Sequence, residues 1–484
     1  MSISGSMSSA LSGLNAAARS AELISSNIAN ALTPGYGRRG LEMSARRVGA
    51  GGQGVQINSV TREVNLVLMA DRRVADAAAS NMDTRAGFLQ RIEASIGGPE
   101  NAGSLSARIA ALDASLLAAA AQPESTVRQG QVADAANSLV QGMRAISTEV
   151  QSARGRADQQ IAADINTLNS TLGAIAELNR SIGASTNGGR DTSALLDQRQ
   201  QLIDRISTIV PLREVARQNG SVALFTTGGA ILLEGKAATI GFASTGLITP
   251  DMTLASGALS GLTINGRSVR SDDTGPMAGG SLAANFAIRD DIGTAAQSNL
   301  DALARDLISR FQDPALDSTL APGDAGLFTD AGAVFAPANE TGLAARLALN
   351  PAIDPDSGGA LWRLRDGLGA AVPGPVGQSA LLNAMQTALN APRPTQSGPF
   401  AGATRGLSNL SAQLISSVSA QRLSLETDAT YASVRSTALH HLELQNGVDT
   451  DRELQDLLVV EKAYAANAKV IQTADDMIQI LLGM

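Results

Sequence analysis

Few side chains in this sequence are equipped for chemistry, and their spacing limits what they can do. His440 and His441 are the only histidines. Neighbours on a helix point about 100° apart, so the two cannot hold one metal ion from a single face, and they read as a solvated or interface pair. With no cysteine, thiolate nucleophiles, disulfides and thiolate metal sites are excluded, and His-dependent triads and His-rich metal sites lack their parts. Two G-x-G-x-x-G runs occur, Gly35/Gly37/Gly40 and Gly49/Gly51/Gly54. A dinucleotide loop must leave a strand and open a helix. The first run follows a helical pattern and the second opens a strand, so both read as turns. The carboxylates on the long helical stretches sit among arginines as on solvated helix faces. Asp272-Asp273 lies in a Gly/Ser/Pro-rich link and reads as a turn. Tyr36 and Trp362 are isolated aromatics with structural roles. No catalytic, cofactor or metal site is expected, and no enzyme.

The chemistry that remains is that of assembly. Near the C-terminus, Leu454, Leu457, Glu461, Tyr464, Ala468, Ile471, Asp475, Ile478 and Leu482 step by three and four, which places one narrow, mostly apolar seam on a helix. Thr450 with Glu453 three residues on fits a capping box at its start. Near the N-terminus, Met7, Leu11, Leu14, Ala18, Ala21, Ser25, Ile28 and Leu32 repeat the spacing with smaller residues. Lone helices are marginal in water, so each seam orders only against another surface, and the two can cover each other. Glu461 and Asp475 interrupt the seam and are candidates for setting its register.

These seams need a scaffold. A chain of 484 residues exceeds one hydrophobic core, so two or three domains are expected. Aromatics make up only 2% of it, which favours long helices in close, small-residue contact. A net charge of −8 with scattered basic residues argues against nucleic acid as a partner. No apolar run reaches the roughly 18 residues that span a membrane. The N-terminal residues Met1 to Met7 lack the basic and apolar regions of a secretory signal, so the protein is cytosolic or leaves by a route without a cleaved signal.

Helical spacing ends at Thr33-Pro34-Gly35-Tyr36-Gly37, and residues 38–59 read as extended or irregular, with a strand at Val55–Val60. Helices are expected over 61–96, 104–121 and 124–183, with another from about Asp191, as a bundle of long antiparallel helices. From Pro211 to Ser271 the period becomes two, punctuated by Asn219-Gly220, Gly228-Gly229 and Asn265-Gly266, each a two-residue hairpin signal. Helical spacing resumes from Leu282 to Phe311. The stretch 312–400 holds ten of the sixteen prolines, so only a short helix near Ser379–Leu389 fits there. Helix returns from 402 to 445, and Asn446-Gly447 precedes the terminal seam.

The expected fold is therefore mainly α with a small β insert, nested. Residues 1–60 with 449–484 form a terminal core of paired coiled-coil helices. Residues 61–210 with 281–311 and 401–448 form a helix bundle, 211–280 an outer all-β domain, and 312–400 a Pro-rich irregular or partly β excursion.

Ser25-Ser26-Asn27-Ile28-Ala29-Asn30 followed by Thr33-Pro34-Gly35-Tyr36 resembles the N-terminal signature of flagellar rod, hook and hook-associated axial proteins. Gly54-Val55 to Val60 with Arg62-Glu63, and Leu195-Leu196-Asp197-Gln198-Arg199 with Leu202-Ile203, are similar to stretches of the FlgK family of the hook–filament junction. Gly447-Val448-Asp449 through Tyr464, Ala466-Asn467-Ala468, Val470 and Gln472-Thr473-Ala474 resembles that family's C-terminus. The likeness covers roughly the first 210 and last 80 residues.

The resemblance implies a structural subunit that is exported by the flagellar type III apparatus and assembles as a ring joining hook to filament. Its implied partners are copies of itself, hook protein, the next hook-associated protein toward the filament and a cytoplasmic export chaperone on the C-terminal segment. The expected subunit-interface residues are Met7, Leu11, Leu14, Ile28, Leu454, Leu457, Glu461, Tyr464, Ile471, Asp475, Ile478 and Leu482. The alternative, from the long helices alone, is a cytosolic coiled-coil signalling or scaffold protein.

Overall fold

The computed structural model describes residues 3–48 and 51–483; Gly49 and Ala50 of the expected glycine-rich turn lie outside them. Helix α1 (Ile3–Ala29) stops before Pro34, and Gly35 in the turn that follows takes the left-handed backbone, at φ +79°. Strands β1 (Arg38–Val48) and β2 (Gly51–Glu63) pair as one long antiparallel hairpin, with register shifts after Glu42 and Ala45. The hairpin lies against α1. Gly54, at φ +89°, permits this, because a Cβ there would sit 2.9 Å from Ser9 Cα, and the Val55 amide donates to Ser12 Oγ at 3.1 Å.

Helix α2 (Leu66–Ile96) is capped by Asn65, which accepts from the Leu68 amide. It begins five residues later than the expected start at Thr61, because Thr61–Glu63 complete the strand. Ser104 and Ser125 cap α3 (Leu105–Ala121) and α4 (Thr126–Asn187). At 62 residues, α4 is roughly 90 Å long and forms the spine of the molecule. Helix α5 (Ser193–Ser207) returns along it.

The chain changes period at Pro211 as expected. Strands β3 (Leu212–Ala216), β4 (Val222–Thr226), β5 (Ile231–Glu234) and β6 (Lys236–Ala237) make a four-stranded antiparallel sheet, and β7 (Ile240–Gly241), β8 (Leu262–Ile264) and β9 (Arg267–Val269) a three-stranded one. Of the three turn signals, only Asn265-Gly266 is a two-residue turn, with φ of +51° and +77° between the paired Ile264 and Arg267. Asn219-Gly220 sits instead in the longer loop between the paired Ala216 and Val222. Both sheets share an apolar cluster with Ile161, Leu168 and Leu172 of α4 and Ile203 of α5.

Helix α6 (Ser281–Ala287) passes through a π turn at residues 288–292 into α7 (Gly293–Phe311). Arg289 in this turn is wholly buried and pairs with the equally buried Asp158 at 2.8 Å, while Arg154 Nε donates to the Arg289 carbonyl at 2.7 Å.

Residues 312–400 contain β10 (Phe328–Asp330), α8 (Leu343–Arg346), β11 (Leu347–Leu349), α9 (Arg363–Asp366), α10 (Ala380–Asn390) and the two-residue strand β12 (Arg393–Pro394), which pairs just past the exit with β13 (Thr404–Arg405). Phe328, Leu343, Leu347, Leu364 and Leu382 from this stretch lie in the same cluster as Leu112 of α3, Leu139 of α4 and Leu307 of α7. The excursion is thus a cover on the bundle and shares its core. Helix α11 (Leu407–Gln445) runs antiparallel along α2, and α12 (Thr450–Leu482) along α1. Of the described residues, none in 3–63 or 446–483 belongs to either apolar cluster. The architecture is mainly α with small sheets. No helix among the described residues is long and apolar enough to cross a membrane.

Candidate assembly site at the paired termini

The first and last helices meet as the heptads require, but in a different register. On α1 the buried Ala10, Ala17 and Ile24 recur every seven residues, with Gly13 and Asn27 on the same face. This face lies one residue before the expected Met7, Leu11, Leu14, Ile28 series. Leu11 is 53% exposed. The reason is the approach distance. A Cβ at Gly13 would lie 2.8 Å from the Asn467 amide group, so the backbones approach through small residues while the larger ones flank the contact.

On α12 the covered face holds Glu453, Leu457, Val460, Asn467, Ile471, Ala474 and Ile478. Leu457, Ile471 and Ile478 of the expected seam are half-buried on this face. Leu454, Glu461, Tyr464, Asp475 and Leu482 are exposed. Glu461 and Asp475 therefore do not set the register of this pair; Asn467 against Gly13 and Glu453 against Asn27 stand at the seam instead, two heptads apart on both helices.

Glu453 closes the site. It is 1% exposed, and the expected capping box is not its role: Asp449 caps α12, accepting from the Asp451 and Arg452 amides. The Glu453 carboxylate is turned across the pair. One oxygen accepts from Asn27 Nδ2 at 3.0 Å and the other from Arg38 Nε at 2.6 Å. Burial disfavours the Arg38 cation, but the Glu453 and Glu63 carboxylates more than offset it and raise its pKa.

Asn27, itself fully buried, uses both halves of its amide. Nδ2 also donates to the Arg39 carbonyl at 2.9 Å, and Oδ1 accepts from the Arg39 amide at 2.9 Å and the Tyr36 hydroxyl at 2.8 Å. A single asparagine thus ties α1, the Thr33–Gly37 turn, β1 and α12 together. Every polar atom of that amide has a partner, which makes the node costly to open.

A second node joins the hairpin base to α5. Asp197 Oδ1 accepts from the Gly37 amide at 3.1 Å and Arg62 Nε at 2.6 Å, and Oδ2 from Arg39 Nη2 at 3.1 Å. Gly37 is required there, because a Cβ would fall 2.5 Å from Arg62 Nε. His440 Nε2 lies 3.2 Å from Asp76 Oδ1 at the α2–α11 contact, as an interface histidine. No group of three or more metal-ligating side chains is found among the described residues. The arrangement can clamp helices; it holds no nucleophile beside a base.

Known proteins share this plan. A model described as a flagella basal body rod protein matches residues 7–36, and one described as the flagellar basal body rod FlgEFG protein C-terminal region matches residues 444–484. Between them, the model of the flagellar hook-associated protein FlgK helical domain matches residues 89–325. The matches at both termini are thus to flagellar rod proteins, and the class is that of flagellar structural proteins.

The chain is similar to the FlgK family of flagellar hook-associated proteins, a family of structural flagellar components rather than of enzymes. Flagellar hook-associated protein 1 of Escherichia coli is 24% identical over 99% of both chains. The protein of that name from Salmonella typhimurium is 27% identical over 47% of this chain and 42% of its own, so this match spans less than half of that relative. A solved structure, the flagellar hook junction protein FlgK from Burkholderia pseudomallei, aligns with a TM-score of 0.45 at 20% identity, over 54% of this chain and 46% of that one.

The residues that the spacing missed are Gly13, Asn27, Arg38, Glu453 and Asn467. Heptad reading follows large apolar side chains, whereas these are small or polar. Asn27, Glu453 and Asn467 do stand inside the motifs that carried the family resemblance, as does Asp197, which is the signal that marked them.

Proposed function

We propose that this chain is a structural subunit joining the flagellar hook to the filament, exported through the flagellar type III apparatus and assembled through its terminal helices. The observation that carries this reading is the closed terminal pair with apolar stripes left open on both helices. On α12, Val459, Ala463, Ala466, Val470, Thr473 and Met477 step by four and three and are all exposed. On α1, Met7, Leu11, Leu14, Ala18 and Ser25 form the outer flank, half-buried to exposed. At 100° per residue these stripes fall on opposite flanks of the antiparallel pair. One copy's α1 flank can then meet the next copy's α12 flank, and such head-to-tail contacts close into rings.

In this reading Leu457, Ile471 and Ile478 hold the pair within the chain. Met7, Leu11, Leu14, Ile28, Leu454, Glu461, Tyr464, Asp475 and Leu482 meet neighbouring subunits. Hook protein lies on one side of the ring and the next hook-associated protein on the other. A cytoplasmic export chaperone covers the α12 stripe before assembly. Residues 1–60 with 449–484 make the inner domain, the bundle the next, and residues 211–280 face outward. The test is to delete residues 450–484: cells are expected to shed filament protein into the medium, and attached filaments with none shed would overturn the reading.

A further inference from the structure

We infer that the Leu195–Arg199 stretch, acting through Asp197, is a brace that sets the angle between the terminal module (residues 3–63 and 446–483) and the helical body. One stripe of α5, spaced by three and four residues, faces this joint: Asp197, Gln200, Gln201 and Asp204. Asp197 is 9% exposed and binds Gly37, Arg39 and Arg62 of the module. Gln200 accepts from Arg62, and Gln201 Nε2 donates to the Pro34 carbonyl at 3.0 Å. Asp204 pairs with Arg72 at 2.8 Å and Arg73 at 2.6 Å, at the root of α2. Arg72 pairs in turn with Glu443, close to where α11 hands over to α12.

The opposite stripe of α5 carries Ile203 and Ile206, which are wholly buried in the body's core. One helix therefore anchors in the body by apolar contact and reaches the module by charge. No member of either apolar cluster comes from the described residues of the module, so the module's angle is held by directional, charge-assisted bonds. Such bonds depend on each partner's position and charge. The joint therefore loosens when a partner is removed, while the body stays folded. This goes beyond the junction reading and does not depend on it.

The chain has no cysteine, so two introduced thiols can be labelled cleanly. Gln56→Cys on β2 and Ser170→Cys on α4, both at exposed positions, would carry spin labels in the full chain. The distance between them is then read by double electron–electron resonance, with the melting of the body followed by circular dichroism. The expected result is one narrow distance at low salt. That narrow distance is lost in Asp197→Ala, with the body's melting unchanged. A broad distance in the parent chain at low salt overturns the proposal, as does a narrow one retained in Asp197→Ala. If Asp197→Ala unfolds the body, the decision falls to Arg39→Ala with Arg62→Ala, which alters only the module side. Loss of the narrow distance there supports the brace, and its retention overturns it.

Discussion

Glu453 is a carboxylate held by a cation and an amide in a site closed to water, so its removal has graded consequences. Glu453→Gln keeps an acceptor for Asn27 Nδ2 but leaves Arg38 without its partner there, and Glu453→Ala loses both. The alanine variant should weaken the terminal pair by about 1–3 kcal/mol and the glutamine variant by less. Hydrogen exchange along α12 would register this, with the bundle unaffected.

Burial governs two other carboxylates. Burial pushes the pKa of Asp164 up against the bonds from Gln160 and Ser281, and that of Asp301 up against the Ala344 and Gly342 amides. A raised carboxyl pKa means that the folded chain binds more protons than the unfolded one, from the ordinary aspartate value of about 4 up to the raised value. Stability from these groups therefore falls as pH rises through that window. Asp164→Asn, which can still accept from Gln160 and donate to Ser281 Oγ, should raise the melting temperature at neutral pH. The gain should vanish as the pH approaches about 4. A gain that persisted at acid pH would contradict the assignment.

Among the elements, the contact of α1 with α12 is the most instructive. Gly13→Ala pushes a methyl group into Asn467 and should loosen the pair by about 1 kcal/mol. Asn467→Ala in the same chain should recover most of that loss, a coupling that a double-mutant cycle of α12 protection would measure. The sequence made the existence of both helices legible, because proline and glycine mark their ends and the heptads mark their faces. The register was not legible. Helical spacing ranks faces by bulk, and here Ala10, Gly13 and Ala17 are chosen for what they lack. The hairpin was half visible: Val55–Val60 was read as a strand, whereas the register that pairs it with Arg38–Val48, with Asn58 as an extra residue opposite Glu42 and Met43, was not. The π turn at 288–292 was invisible. It answers to Arg289 and Asp158, 131 residues apart in sequence, and no local pattern carries that information. Likewise the proline count excluded long helices from 312–400 but said nothing about the core those residues would share.

For the whole molecule, the association proposed for the two open stripes can be tested apart from folding. Val459→Glu with Val470→Glu on α12 should leave thermal unfolding of the chain within about 0.5 kcal/mol of the parent, since both positions are exposed. The same pair should abolish self-association in sedimentation and the recovery of attached filaments in cells. Unchanged association would remove the α12 stripe from the interface.

The bond between Asn27 and Glu453 spans 426 residues of sequence, and this separation is also a clock. Any process that delivers the chain end first, whether a ribosome or a narrow channel, presents α1 long before α12 exists to cover it. Loop closure over such a distance is slow compared with the local pairing of α3 with α4 or of β1 with β2. The body and the hairpin therefore mature first, and the clamp at the termini is the last event in the life of a new chain. Its closure waits until α12 has arrived.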